Sequence, residues 1–306
     1  MSDEHACQIV PKTIISLVEN KKMTAYDEVP DRLLTCLHDS NNDGLALGSY
    51  CAGFELKQWR CDAFANHAME WIADYALIED DLKVNHTNMY VRLKQAAVRV
   101  YTSEKYQSRG ELGEIILHAI CRDFFKTIPL APRVFYLTAS NDVVKSFDMA
   151  HVKYTDENEL ELWLGEAKLY KKPIEAITSA IASVQAHINA GFLKNQKLLL
   201  GPQISKNIPR YDEIRNLLSD KTSLDKLFSS AVFPICIACD SKSVNEHTAH
   251  TKLYIESITK EIAMLKGKLA SSDLPSKIRI MLIYVPLKSK AALATAFDKK
   301  LKSFTV

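Results

Sequence analysis

The spacing of apolar positions along the 306-residue chain changes several times, and each change marks an element. Over residues 56–77, Trp59, Ala63, Ala68 and Trp71 recur at helix-like intervals, and over 90–101 Val91, Leu93, Ala96, Ala97 and Val100 do the same. Both tryptophans read as core rather than as a base-stacking platform. Residues 109–125 carry the clearest helical stripe, Leu112, Ile115, Ile116, Ala119 and Ile120. Beside it runs a polar stripe, Glu111, Glu114, His118 and Arg122. It is either a solvated face on which Glu114 pairs with His118 or a row of working side chains. The pattern then turns β-like over 134–137, 147–154 and 160–170. The short turn Asp156-Glu157-Asn158 predicts an antiparallel hairpin between the last two runs. Pro173 opens a helix bearing Ile174, Ile177, Ile181, Val184 and Ile188.

Residues 201–230, punctuated by Gly201-Pro202 and Pro209, are expected to be the most flexible stretch. Beyond them come a buried strand over 232–239, a helix over 251–269, a strand over 278–285 and a helix over 290–301. That alternation predicts crossover connections and parallel pairing. The first fifty residues are mixed: 13–18 reads as a strand and 31–38 as a short helix. Asn41-Asn42-Asp43-Gly44 has turn chemistry, and it lacks the further acidic positions of a calcium loop.

The run Glu159–Tyr170 holds the main chemical signal. On a strand Glu166 and Lys168 project from one face, and charges in a sheet are seldom buried unless paired or functional. A carboxylate able to hold a divalent cation, next to a lysine able to orient water or neutralise developing charge, suits phosphodiester hydrolysis. The acid-x-lysine spacing alone selects nothing, because it recurs at Glu19, Glu55, Asp81, Asp240 and Asp298. Context selects Glu166. A helix with Glu114 precedes it, a strand with Asp148 adjoins it, and a helix with Gln185 follows.

Helix, strand, strand, helix with acids at these points is the restriction-endonuclease-like arrangement of PD-(D/E)xK nucleases. The expected fold class is therefore α/β, a mixed central sheet flanked by helices with an N-terminal extension. Residues 1–108 would pack on a nuclease core formed by 109–306. Glu111 competes with Glu114 for the helix position, Gln185 is either a contact to substrate backbone or, as helical glutamines more often are, a solvated surface residue, and Lys171 and Lys172 are either a phosphate site or a solvated basic corner.

Composition narrows the picture. Apolar residues make up 47% and charged residues 25% of the chain, ordinary for a soluble globular protein. No apolar run reaches membrane-spanning length, and the N-terminus lacks a secretory pattern. The seven cysteines do not form a disulfide-like framework. A cytoplasmic protein with reduced thiols is expected. A net charge of +2 is small for a protein that grips DNA unaided, so local basic patches or a partner must supply much of the affinity. Cys236, Cys239, His247 and His250 are zinc-type ligands, but both cysteines sit in a strand-like run where residues three apart face opposite ways. No Walker-type phosphate loop is present, so the chain is not an ATP-driven motor.

The segments Arg109-Gly110-Glu111-Leu112-Gly113-Glu114, Asp148-Met149-Ala150-His151-Val152 and Leu164-Gly165-Glu166-Ala167-Lys168-Leu169-Tyr170 together resemble the HamA family. The stretch around Tyr50-Cys51-Ala52-Gly53-Phe54 and from Trp59 to Leu77 is also similar to it. HamA proteins are the nuclease subunits of the bacterial Hachiman anti-phage system and work with a helicase, HamB. The resemblance implies a metal-dependent DNA endonuclease. Asp148 and Glu166 would be ligands of Mg2+ or Mn2+, Glu114 a further ligand or a holder of water, and Lys168 the residue that orients the attacking water. Phe147 stands where the wider nuclease pattern has proline. The alternative from another class is a non-catalytic interaction subunit on a decayed nuclease fold, with Glu166 and Lys168 a plain salt pair.

Overall fold

Among the described residues nine strands lie in the order β1 (Thr35–Asn42), β2 (Leu45–Cys51), β3 (Phe54–Glu55), β4 (Gln58–Trp59), β5 (Ile128–Pro129), β6 (Met149–Tyr154), β7 (Leu160–Tyr170), β8 (Ala231–Asp240) and β9 (Arg279–Leu287). The structure is a computed structural model that describes residues 25–42, 45–101, 110–130, 147–189 and 200–305, with Leu193 and Lys197 between the last two spans. Seven of the strands form one mixed sheet in the order β1-β2-β9-β8-β7-β6-β5, and β3 and β4 form a separate small hairpin. β7, β8 and β9 are parallel at its centre, β2 runs parallel to β9, and β6 is antiparallel to β7. The predicted hairpin and the predicted parallel pairing are both present. β8 and β9 are buried almost throughout, as strands covered on both faces must be.

The helices among the described residues are α1 (Cys61–Glu70), α2 (Ile72–Ala76), α3 (Met89–Tyr101), α4 (Gly110–Phe125), α5 (Pro173–His187), α6 (Tyr211–Leu217), α7 (Leu224–Ser230), α8 (Lys242–Glu246), α9 (Lys252–Ala270) and α10 (Lys290–Thr305). α4 and α5 cover opposite faces of β7. A Cβ added to Gly165 would stand 2.8 Å from Leu117 Cδ2, and one on Gly113 would stand 3.1 Å from Leu169 Cβ. The missing side chains are therefore what let α4 lie close on the odd-numbered face of the strand. On the even-numbered face Tyr170 Oη and Ser179 Oγ of α5 are 3.1 Å apart. Trp71 is fully buried and Trp59 nearly so, which makes both of them core.

Two expectations are corrected. Residues 31–38 are not a helix: β1 starts at Thr35 and pairs with β2, so its polar backbone is satisfied across the sheet rather than along a helix. The helical pattern over 56–77 begins later, at Cys61. Before it the β3–β4 turn puts Leu56 and Lys57 at φ 47° and 64°, which helix cannot accommodate. The stretch 201–230, read as the most flexible, contains α6 and α7, joined by turns and loops. The strands expected over 13–18 and 134–137 lie outside the described residues.

The polar stripe of α4 is buried, not solvated. Arg122 Nε and Nη2 donate to Asp74 Oδ1 and Oδ2 at 2.9 and 3.0 Å, and its Nη1 and Nη2 donate to the carbonyls of Thr127 and Tyr26. Beside this fork runs a chain of short contacts: Asp74 Oδ1 to His118 Nε2 at 2.6 Å, His118 Nδ1 to His151 Nε2 at 3.1 Å, and His151 Nδ1 to Thr127 Oγ1 at 2.8 Å. With Asp74 ionised and both imidazoles neutral, one set of tautomers satisfies every link. Thr127 donates to His151, His151 to His118, and His118 to Asp74.

Burial lowers the basicity of His118 more than Asp74 restores it. Burial, with His118 and Arg122 adding to it, pushes His151 well below the usual histidine range. Burial also disfavours the Asp74 carboxylate, but Arg122 and His118 outweigh it and hold the group below its ordinary value. Because both histidines bind protons more weakly when folded, the unfolded chain protonates first as pH drops through about 6.5. Their contribution to stability is complete above that pH and declines below it, whereas that of Asp74 lasts until the carboxylate range. The urea midpoint is expected to fall steadily between pH 7 and 5, and Asp74→Ala to cost about 3–5 kcal/mol by leaving Arg122 buried without its counter-ion. A midpoint unchanged over that pH range would contradict this account.

Candidate active site

The β6–β7 ladder ends in an unusual way. Met149 pairs with Gly165, but Asp148, one residue earlier, has left the strand. Its N–H donates to the Gly165 carbonyl at 2.9 Å, and its Oδ2 accepts the N–H of Ala167 at 2.9 Å. A carboxylate thus occupies the acceptor position that a continuing β6 backbone would have filled. It is tied to the residue between Glu166 and Lys168.

Glu166 is 2% exposed and projects toward α5. Lys168 Nζ donates to its Oε1 at 2.5 Å. Its Oε2 is buried, accepts no hydrogen bond among the described residues, and lies 3.3 Å from Nδ1 of His187, the last residue of α5. The His187 ring meets the Phe147 ring edge-on, centroids 4.8 Å apart. Burial opposes the charge on Lys168, but Glu166, through charge and hydrogen bond, and then Asp148 more than offset it. The ammonium is held above the ordinary lysine range. Asp148 therefore shares the electrostatic neighbourhood of Glu166 and Lys168.

Glu114 reaches the site region from the other face of the sheet. It is buried, and its Oε2 accepts from Tyr75 Oη at 2.7 Å. It sits one turn before His118, which touches His151, so it stands toward the Asp148 end of β6. Glu111 is equally buried on the same helix. Among the described residues no three Asp, Glu, His or Cys side chains converge closely enough to hold a metal ion. The structure brings Asp148, Glu166 and Lys168 together, and it places Glu114 across the sheet from Glu166.

Gln185 is not at this site: its side chain donates to Asp273 on the surface. His187, two residues on, occupies the position a functional residue of α5 would take. Its signal in the sequence was a histidine continuing the buried face Ala176, Ala180 and Val184. Lys171 and Lys172 are exposed, and Lys172 pairs with Glu175. Cys236 and Cys239 are buried within β8, His247 Nδ1 is 2.8 Å from the Ser243 carbonyl, and the ring of His250 stacks on Tyr254, so these four form no common centre.

Fold and site together define an α/β protein whose mixed seven-stranded sheet carries an acid–lysine cluster where two adjacent strands part. The chain belongs to the HamA family, whose profile matches residues 27–301. That membership associates it with Hachiman anti-phage defence. No curated protein gives a significant match. Among the described residues no helix is long and apolar enough to cross a membrane.

Lys168→Ala would leave two neighbouring carboxylates, one of them almost fully buried, without their ammonium. Its expected cost is on the order of 3 kcal/mol in urea unfolding. The double change Glu166→Gln, Lys168→Met, which removes both charges of the bonded pair, is expected to recover most of it. Equal stability of Lys168→Ala and the unsubstituted chain would show that the pair carries no such weight.

Proposed function

We propose that this protein is a metal-dependent deoxyribonuclease of the PD-(D/E)xK type, the effector of an anti-phage complex with a helicase partner, HamB. The observation that carries the reading is the junction at Ala167. Asp148 from one strand end accepts its amide, while Glu166 and Lys168 flank it on the next strand. The site suits a divalent cation: two carboxylates neighbour one ammonium, and Glu166 Oε2 is a buried acceptor that, among the described residues, has no hydrogen bond and only His187 Nδ1 at 3.3 Å beside it. Asp148, Glu166 and the Ala167 carbonyl would hold Mg2+ or Mn2+, an ion that prefers oxygen ligands and retains waters. Glu114 would serve as a further ligand or as a holder of water. When bound, the ion supplies Lewis-acid stabilisation of the charge that develops on the phosphate.

The remaining work falls to the chain's own groups. Lys168, kept protonated by Glu166 and Asp148, orients the attacking water and sets a fixed positive charge beside the reacting phosphodiester. Asp148, by holding the Ala167 amide, fixes the peptide from which Glu166 and Lys168 project. The small net charge of +2 supports a nuclease that relies on a partner to deliver or restrain it on DNA.

Incubation of plasmid DNA with the chain and Mg2+ or Mn2+, with and without the helicase, tests this. Cleavage is expected to require the metal and to vanish with chelator. Asp148→Ala, Glu166→Ala and Lys168→Ala are each expected to lower it by about a hundredfold or more. Cleavage by Glu166→Ala at the unsubstituted rate would sink the assignment. A second reading, a non-catalytic interaction subunit, draws support from the intact Glu166–Lys168 bond and from the lack of a three-ligand cluster among the described residues. Calorimetry separates the two, since a decayed site takes up no divalent ion.

A further inference from the structure

The three parallel strands β7, β8 and β9 end side by side. Tyr170 pairs with Cys239 and Cys239 with Pro286, and one step further Asp240 pairs with Leu287. The residues just past these ends are basic: Lys171 and Lys172 after β7, Lys242 after β8, Lys288 and Lys290 after β9. Neighbouring strands stand about 4.8 Å apart, so the three ends span only about 10 Å. Lys290 Nζ lies 5.8 Å from the centre of the Tyr170 ring, and Asn245 of α8 donates to the Lys288 carbonyl, which joins the three turns into one surface.

Few acids balance this edge. Lys172 pairs with Glu175 and Lys242 lies 3.6 Å from Glu246, but Lys171, Lys288 and Lys290 have no carboxylate within ion-pair distance among the described residues. Asp240, the acid closest in register, is engaged as the acceptor of the Lys290 backbone N–H. Lys168 projects from β7 two residues before this edge, so the lysines continue outward from the candidate active site. A chain of net charge +2 that concentrates lysines at one sheet edge has a local field its total charge conceals.

We infer that the carboxyl edge of β7, β8 and β9 is a phosphate-backbone platform, on which Lys171, Lys288 and Lys290 hold DNA and lead it to Lys168. This rests on the proposed deoxyribonuclease reading for the identity of the nucleic acid. Contacts of this kind are independent of base sequence and release counterions.

The test is binding of labelled single-stranded and duplex DNA by the full chain, followed by fluorescence anisotropy without metal over about 50 to 200 mM salt. The triple variant Lys171→Gln, Lys288→Gln, Lys290→Gln is expected to bind duplex at least tenfold more weakly. Its slope of log affinity against log salt should be shallower by about 2 to 3. Lys226→Gln and Lys268→Gln, away from this edge, should leave both unchanged, and melting curves confirm that all variants fold. A triple variant with the unsubstituted affinity and slope overturns the platform, as does an unsubstituted chain that binds neither DNA. Cleavage assays on the same proteins keep the two ideas apart. Edge-dependent binding without any metal-dependent cleavage removes the nuclease reading and leaves the platform. Cleavage that needs Glu166 but not the three lysines does the reverse.

Discussion

One hydrogen bond, from the Ala167 amide to the Asp148 carboxylate, sets the geometry on which the candidate site depends. A ladder N–H that loses its backbone partner inside a protein must find another acceptor or carry a desolvation penalty of about 1–3 kcal/mol. Here the replacement is charged, and charge-assisted bonds are the stronger kind. The consequence reaches beyond satisfying one amide. It brings a second carboxylate beside Glu166, an arrangement that costs stability through like-charge repulsion and desolvation. Lys168 offsets part of that cost, and the buried parallel strands β8 and β9 behind it make the rest tolerable. The site is a place where the fold carries electrostatic strain, supported by the apolar, buried strands behind it.

A second constraint acts from the opposite face. Two consecutive residues of the short helix α2 fasten α4: Asp74 takes Arg122 and His118, and Tyr75 takes Glu114. The division of labour is informative. Asp74 belongs to a closed network in which every partner is satisfied, so its role is to fix the helix. Tyr75 holds a carboxylate one turn further on, at the end of α4 that approaches Ala167 and Leu169. A helix clamped by Asp74 can present Glu114 in one place only. The two neutral histidines between the clamp and β6 keep added charge out of the space behind the site.

Much of this was legible from the residues because hairpin geometry is local. The short turn after Tyr154 predicts that the two strands pair and so puts Asp148 one strand away from Glu166; the register in which Met149 meets Gly165 comes from the structure. The β7–α5 junction and the parallel β8 and β9 followed from period and length. What could not be read was non-local. Nothing in the α4 stripe announces that Asp74, some forty positions upstream, faces it, so the stripe reads as a solvated face or a row of working side chains and not as a buried clamp. β1 was missed because its polar residues owe their conformation to pairing with β2. Gln185 reads as solvated surface more readily than as a substrate contact, and its side chain does lie at the surface. The burial period of α5, Ala176, Ala180, Val184, His187, is the guide to the residue that reaches the site.

The topology also explains why charge gathers where it does. In parallel strands joined by crossovers, every connection leaving a carboxyl end turns outward at the same edge, and grooves for ligands form there. Lys171, Lys172, Lys242 and Lys288 on those turns are exposed, so charge can accumulate there without cost to the core. β7 differs from β8 and β9 in one respect: its outer neighbour is the antiparallel β6, whose start, and not its end, lies at this edge. At the β6–β7 boundary, as at the β1–β2 boundary on the far side of the sheet, a residue entering one strand therefore meets residues leaving another. Asp148 and Glu166 make that meeting, and a wholly parallel sheet would have had no place for it.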